Sequence, residues 1–279
     1  MNEFKEIIVR SWEDFVGLVA IYPYGHPTKA KSVFRGHANA AWELVPSFVR
    51  HANGLSVREA LNLEASAQHE FHKQAAFLIS YGMIPNYGDL TGWLALMQHH
   101  GVPTRLLDWS RSPFVAAYFA VEEEDEVPGA VWVMDSSIIR HLANIPQLKK
   151  YELTSDWEHP EFVTNLFIDP VAEQTLLLAT PTRHTDRMFA QQTFSMVSPQ
   201  ILTKHHEVIT HWLPELVGTD ACTKLIIPAG MKDEFMRQLR KMNLTASSLF
   251  PGIDGFGRSV REFILLECKR HYAVTEGKA

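Results

Sequence analysis

The chain has 279 residues, of which 46% are hydrophobic and 21% are charged, with a formal net charge of −6. This composition is typical of a globular protein, and its mild acidity argues against a general nucleic-acid binder, which is normally basic. The two cysteines, Cys222 and Cys268, lack the spacing of a zinc site or a disulfide framework. No apolar stretch suggests a signal peptide or a membrane helix, so we expect a cytoplasmic protein with no membrane partner.

The first part of the chain alternates β-prone segments with helical patterns. Segment 7–10 predicts a strand, and a helix follows it. Segment 32–36 is β-prone and ends in glycine, which predicts a strand running into a turn. Ser56 and Glu59 form a capping box, so a long helix is expected from there to about residue 81.

The middle of the chain predicts two helices with a buried strand between them. A helix over 92–100 is expected, and segment 106–109 then predicts a buried strand. Ser112 followed by Pro113 is typical of an N-cap and a first helical position, which predicts a helix to about residue 123.

Strands and helices are mixed irregularly in the remainder of the chain. Further strands are expected at 129–134, 175–179, 193–197 and 224–227, and further helices at 136–146, 159–168, 231–242 and 256–272. The lack of regular βαβ alternation favours an α+β fold over a doubly wound sheet. We therefore predict one domain over 1–279, with a mixed, irregular central sheet and flanking helices.

Segment 34–37 (FRGH) places an arginine at the end of a predicted strand, beside a glycine. The planar guanidinium of Arg35 matches a phosphate or a carboxylate, and Gly36 would let a ligand approach the backbone. The alternative is that Arg35 pairs with a buried acid and holds the fold together.

Segment 98–110 (QHHGVPTRLLDWS) carries charged residues within an apolar stretch. Arg105 and Asp108 are rarely buried unpaired in such a context, so they satisfy each other, pair with residues such as Arg35, or take part in catalysis. Ser110 and Ser112 precede a helix. Capping explains them, although a helix N-terminus also favours an anion.

Histidines and acidic residues are plentiful but form no recognisable metal site. His69 and His72 lie three positions apart, which is not the spacing of a zinc-binding HExxH motif. We expect the histidines to be surface features, and the acidic run 122–126 to be a solvated face. A second, loose histidine group comprises His205, His206 and His211.

These motifs resemble those of the FRG-domain family. Segment 33–37 is similar to the motif that names the family, and 98–110 is similar to its second signature. The resemblance extends over about residues 27–260, with Thr193 at a position where glycine is expected. Supporting segments are 42, 46–47, 112–113, 116–120, 187–194 and 248–255.

A weaker resemblance links the chain to ADP-ribosyltransferases of the R-S-E type, and it implies a fold like theirs. Segment 34–36 is similar to the aromatic-Arg-Gly of their first strand, and 106–119 to their second strand, its Ser/Thr turn and the helix that follows. Their third strand carries a catalytic glutamate, and Gln192 occupies that position here. Since glutamine cannot supply a negative charge to an oxocarbenium-like sugar, Asp108 or Glu262 would have to do so.

The resemblance implies NAD as a substrate and no metal. Its implied catalytic residues are Arg35, Asp108, Gln192 and Glu262, with Arg35 holding the pyrophosphate or the ribose. Its implied ligand-binding residues are Phe34, Gly36, His37, His100, Thr104, Arg105, Trp109, Ser110 and Ser112.

Two functions of different classes follow from these expectations. One is an NAD-consuming enzyme that transfers ADP-ribose to a protein or nucleic acid, or hydrolyses NAD. It requires Arg35, Arg105, Asp108 and Ser110 to share one cleft. The other is a non-catalytic module that binds a nucleotide or phosphate ligand, in bacterial defence, as a toxin or in phage biology. A third interpretation makes both motifs a polar structural core.

Overall fold

The computed structural model describes residues 4–22, 32–80, 84–86, 88–135, 167–168, 175–179, 181, 183–216 and 222–275. The strands are β1 (Lys5–Ile8), β2 (Ser32–His37), β3 (Leu107–Ser110), β4 (Gly129–Asp135), β5 (Leu177–Ala179), β6 (Thr193–Val197) and β7 (Cys222–Ile227). The helices are α1 (Trp12–Ala20), α2 (Ser47–His51), α3 (Val57–Leu78), α4 (Leu90–His99), α5 (Pro113–Val121), α6 (Asp186–Ala190), α7 (His205–Leu216), α8 (Lys232–Lys241), α9 (Ala246–Leu249) and α10 (Ile253–Thr275).

The described strands form one seven-stranded sheet in the order β1-β7-β4-β2-β3-β6-β5. β1 and β7 are parallel, and the other neighbours are antiparallel. This mixed sheet with flanking helices confirms the predicted α+β class.

Local sequence signals explain where two of the helices begin. The Ser112 side chain accepts a hydrogen bond from the Val115 backbone N–H, and Pro113 occupies the first turn of α5. The capping box of Ser56 and Glu59 is present at the start of α3, as predicted.

Helix α5 packs directly on β2, and Gly36 is the residue that permits this approach. A Cβ atom at position 36 would lie 2.0 Å from the carbonyl oxygen of Ala116 and 2.8 Å from the backbone nitrogen of Ala120. The glycine thus serves the contact between helix and strand. The expectation that it lets a ligand approach the backbone stays a prediction.

Two apolar clusters lie against the sheet. One includes α5 together with Phe15, Phe34 and Phe235. The other contains Trp109 and Trp132. Because side chains alternate along a strand, neighbours such as Val33 and Phe34 enter different clusters.

The predicted strands are confirmed, with ends shifted by at most two residues. Helix α7, which begins in the second histidine group, was not predicted. The helices expected at 136–146 and 159–168 lie outside the described residues, apart from 167–168. Among the helices that the structure describes, none has the length and apolar character needed to cross a membrane.

Candidate functional site

A cleft of about 880 Å³ opens beside the point where β2 and β3 separate. β2 is in register with β4 from Ser32 to His37, but its register with β3 is confined to Phe34 opposite Ser110. Beyond that pair, the side chain of Arg35 bridges the two strands, because its Nη1 donates to the carbonyl oxygen of Asp108 at 2.5 Å. The first predicted motif therefore forms a wall of this cleft.

Arg35 is held at both ends of its guanidinium but retains unused donors. Its Nε donates to Nε2 of His37 at 3.0 Å. Burial lowers the pKa of Arg35 to about 10, an effect that Asp108 opposes, so the group stays charged at neutral pH. Guanidinium has five N–H donors, and within the described part of the chain the Nη2 donors have no hydrogen-bond partner.

His37 is a neutral imidazole that orients Arg35. Burial, reinforced by the positive charge of Arg35, holds the pKa of His37 well below its usual range. Because Nε2 accepts from Arg35, the ring proton belongs on Nδ1, which lies 3.2 Å from the carbonyl oxygen of Trp42. Nε1 of Trp132 also lies 3.2 Å from Nδ1, but a neutral ring accepts on one nitrogen only.

Asp108 also lines the cleft, and both of its carboxylate oxygens are occupied. Oδ1 accepts from the Ser195 hydroxyl at 2.6 Å, and Oδ2 accepts from the Gln98 amide at 2.5 Å. The Gln98 amide oxygen in turn accepts from the Thr104 hydroxyl. This chain fixes the carboxylate as a structural acceptor and leaves the buried Thr104 outside the cleft lining.

Arg187, on α6, is a cleft residue that the sequence did not single out. Its guanidinium lies 4.6 Å from the ring centroid of Phe250, and none of the described residues accepts a hydrogen bond from it. Burial lowers the pKa of Arg187, while the charge of Asp108 opposes this effect. Arg187 therefore presents a charged guanidinium to the cleft with its donors unused.

The rest of the lining adds further cations and aromatic rings. Arg50 lines the cleft while donating to the Val45 carbonyl at 2.7 Å, and Lys204 lines it while paired with Glu207. The ring of Trp42 is 46% exposed and lies near His37. The cleft thus combines an accessible aromatic side chain with four basic residues and with four acidic ones, namely Glu43, Asp108, Glu122 and Glu123.

Arg105 lies elsewhere, which corrects the prediction that both arginines share one cleft. It is 2% exposed and its Nε and Nη2 both donate to the carboxylate of Glu64, with Nε 2.8 Å from Oε1. Its Nη1 donates to the carbonyls of Phe167 and Pro199. The alternative of a buried, internally satisfied arginine is thus correct for Arg105.

Most of the other residues predicted from the second motif form hydrogen bonds or packing contacts within the protein. Ser110 lines the cleft, but its hydroxyl donates to the Gln191 carbonyl at 2.8 Å and accepts from the Ser112 backbone N–H. Ser112 is the α5 cap and does not line the cleft. Trp109 contributes to the cleft lining, but it is only 1% exposed and packs in the core, so its ring offers little surface for stacking. His100 is exposed at the end of α4, away from the cleft.

Two of the predicted catalytic residues are not in the cleft. Gln192 is exposed in a left-handed backbone conformation with φ of 49°, and its neighbour Gln191 lines the cleft instead. Glu262, on α10, accepts from the Tyr118 hydroxyl at 2.5 Å and pairs with Arg240. Phe34 is at the cleft wall but fully buried in the core.

The predictions for histidines and acids also need correction. His205 is 1% exposed, and burial lowers its pKa to about 3, so it is not a surface residue. Glu122, at the end of α5, lines the cleft, so the acidic run is not wholly a solvated face. Among the described residues, no group of histidine, cysteine, aspartate or glutamate is arranged to hold a metal ion.

Fold and site together define a class of protein: an α+β protein with an arginine-lined cleft where two strands separate. The FRG domain family model matches residues 30–128, which contain both Arg35 and Asp108. The chain therefore carries an FRG domain. No curated protein and no solved structure matches the chain, and the resemblance to ADP-ribosyltransferases stays a prediction.

Proposed function

We propose that the cleft binds a nucleotide-type ligand, namely a molecule that joins a phosphate or pyrophosphate to a planar base. The observation that carries this proposal is that Arg35 and Arg187 line one cavity and both keep unused guanidinium donors. NAD and ADP-ribose are the leading candidates, as the motifs suggest.

The two guanidinium groups suit an anion with several oxygen atoms. A planar guanidinium donates two parallel hydrogen bonds to a phosphate, and such charge-assisted bonds are stronger than neutral ones. Arg35 is pre-oriented by His37 and the Asp108 carbonyl, and Arg187 by Phe250. Little side-chain freedom would be lost on binding, which favours affinity.

Size and aromatic content also support a nucleotide. The cleft volume of about 880 Å³ lies within the usual range for ligand pockets. Trp42 is exposed at the cleft, and an indole ring can stack on a base.

Binding is better supported than ADP-ribosyl transfer. A transferase needs a carboxylate free to stabilise the developing sugar cation. Of the predicted candidates, Gln192 and Glu262 are outside the cleft lining, and both oxygens of Asp108 accept hydrogen bonds from the protein. Of the other acids that line the cleft, Glu122 pairs with Arg258 at 2.7 Å and Glu43 lies 3.9 Å from Nζ of Lys204. We therefore favour the non-catalytic module over the NAD-consuming enzyme.

Titration calorimetry with NAD, ADP-ribose, ATP and pyrophosphate tests this function. We expect at least one of the nucleotides to bind with one-site stoichiometry, and pyrophosphate to bind more weakly because it lacks the base. Chromatography of the same mixtures separates the two functions: intact NAD supports the binding module, and released nicotinamide supports the enzyme. Absence of binding by all four compounds would remove the proposal.

A further inference from the structure

Helix α10 presents an apolar stripe to solvent. Its members recur at intervals of three and four residues along the helix, and each side chain is between 42% and 79% exposed. They are Ile253, Phe256, Val260, Phe263 and Ile264. Residues at this spacing lie on one face of an α-helix, so the five side chains form a continuous strip.

The opposite face of α10 is fixed to the rest of the protein. Leu266 is buried in the apolar cluster that includes α5, and Glu262 accepts from the Tyr118 hydroxyl at 2.5 Å. A Cβ atom at Gly255 would lie 1.8 Å from the carbonyl oxygen of Phe250, so the start of the helix is also closely packed. Because rotation of α10 would break these contacts, the apolar stripe belongs to the surface of the folded chain.

The intervals within the stripe are those of a seam between two helices. Apolar residues spaced three, four and three positions apart, as from Ile253 to Phe263, occupy the a and d positions of a heptad. The next a and d positions hold Glu267 and Arg270, which pair with each other at 2.8 Å. The apolar seam therefore spans about three helical turns and ends at a charged pair.

We propose that the apolar stripe is the contact between two copies of this chain, with their α10 helices antiparallel. Under two-fold symmetry, Ile253 of one copy packs on Phe263 of the other, and Phe256 packs on Val260. This arrangement brings all four seam residues into contact. It is independent of what the cleft binds.

Charges beside the stripe favour the antiparallel orientation. Asp254 and Arg261 are exposed on the same border of the stripe, seven positions apart. When Ile253 meets Phe263, Asp254 of one copy lies about 1.5 Å along the axis from the level of Arg261 of the other. Two-fold symmetry repeats this opposite-charge pair on the second copy. A parallel pair would instead place identical charges at one level.

The area of the stripe is sufficient for a weak dimer. At roughly 200 Å² for a fully exposed large apolar side chain, the exposed fractions correspond to about 500 Å² per chain and about 1,000 Å² for two copies. This total reaches the lower limit of specific interfaces. We therefore expect a reversible dimer with a micromolar dissociation constant rather than an obligate one.

A membrane surface is the other occupant that an exposed apolar helix face can take. Helices that lie in a membrane interface carry many lysines and arginines on their polar face. The polar face of α10 instead packs on the protein through Glu262, and the stripe is bordered by both Asp254 and Arg261. The net charge of −6 also disfavours an anionic lipid surface. These features favour a second copy of the chain.

Sedimentation velocity on the wild-type chain, over concentrations up to about 500 µM, tests the contact without any ligand. We expect a reversible monomer–dimer equilibrium. Phe256→Glu should raise the dissociation constant at least ~30-fold, because each dimer loses two central apolar contacts and gains two charges in the seam. Phe77→Glu, at an exposed phenylalanine on α3, is the matched control and should keep the wild-type constant. Ile264→Glu repeats the test on the same stripe if the first variant fails to fold.

Exchange of the border charges tests the orientation of the two helices. Asp254→Arg should weaken the dimer roughly 5- to 10-fold, since each dimer exchanges two attractive pairs for two repulsive ones. Arg261→Asp should have a similar effect. The double variant, Asp254→Arg with Arg261→Asp, should return the dissociation constant close to the wild-type value.

The outcomes separate the possible occupants of the stripe. A wild-type chain that stays monomeric over the whole series would overturn the inference. If that monomer floats with vesicles of phosphatidylcholine and phosphatidylglycerol, and Phe256→Glu abolishes flotation, the stripe is a membrane surface instead. A dimer that Phe256→Glu and Ile264→Glu leave intact has its contact elsewhere. A double charge variant that stays weak would overturn the antiparallel orientation. Each of these results leaves the proposed ligand binding untouched.

Discussion

The two arginines of the signature motifs occupy opposite environments. Arg105 is sealed in the interior, where Glu64 and two backbone carbonyls accept its hydrogen bonds. Arg35 lies at a strand junction beside an open cleft, where a neutral histidine and one carbonyl hold it and leave donors unused. The same residue type thus stabilises the fold at one site and is available to a ligand at the other.

This difference follows from the nature of the partners. A carboxylate that accepts two hydrogen bonds from a guanidinium neutralises the charge of the arginine and occupies its donors. Few donors are then left for a ligand. His37 accepts a hydrogen bond that orients Arg35, but the neutral ring does not cancel the charge of the arginine. Within this family motif, an arginine held by neutral acceptors is the better candidate for binding.

The largest expected effect is on stability at the sealed site. Arg105→Ala should lower the free energy of unfolding by about 3–5 kcal/mol, because it leaves the buried carboxylate of Glu64 unpaired. Urea denaturation measures this loss. Replacing both partners, as in Arg105→Met with Glu64→Leu, should recover most of it. A loss below about 1 kcal/mol for the single variant would contradict a sealed ion pair.

A second stability effect concerns the strand that carries Arg35. Gly36→Ala should cost about 1–3 kcal/mol, because the new methyl group meets the backbone of α5. Thermal unfolding measures the change, and Gly17→Ala is its control. An added Cβ at Gly17 meets nothing within 4 Å, so alanine there should be neutral or stabilising in α1. Equal behaviour of the two variants would contradict the close packing of α5 on β2.

The open site should respond in affinity with little change in stability. Arg187→Ala should weaken nucleotide binding roughly 10- to 100-fold, as expected for lost hydrogen bonds to a charged group. Its free energy of unfolding should change by less than about 1 kcal/mol, because no described acceptor is left unpaired. Arg237→Ala, at an exposed position on α8 outside the cleft, is the control. Unchanged affinity in Arg187→Ala would remove that residue from the site.

The sequence predicted the fold class, all seven described strands and the placement of Arg35 and Asp108 at one site. These follow from short-range signals such as the capping box, the Ser112–Pro113 start and the strand that ends at Gly36. Arg105 could not be assigned in the same way, because its partner Glu64 lies 41 positions earlier, on α3. Nothing local distinguishes a sealed arginine from an open one.

The residues that were missed also depend on distant partners. Arg187 packs over the ring of Phe250, and Glu122 pairs with Arg258, 136 positions later. Strand β6, which corresponds to the third motif strand of the transferases, was predicted correctly. The glutamine before it that lines the cleft is Gln191 rather than Gln192. Because Gln192 turns into a left-handed conformation, a shift of one residue moved the predicted catalytic side chain out to solvent.

Side-chain NMR of the arginines during an ADP-ribose titration tests the central claim most directly. The Nε–H signals of Arg35 and Arg187 should shift with saturation at one ligand per chain, and the signal of Arg105 should stay fixed and exchange slowly. Substitution of each arginine by lysine assigns the signals. A shift at Arg105 without one at Arg35, or no shift at either cleft arginine at saturation, would contradict the division between a sealed and an open arginine.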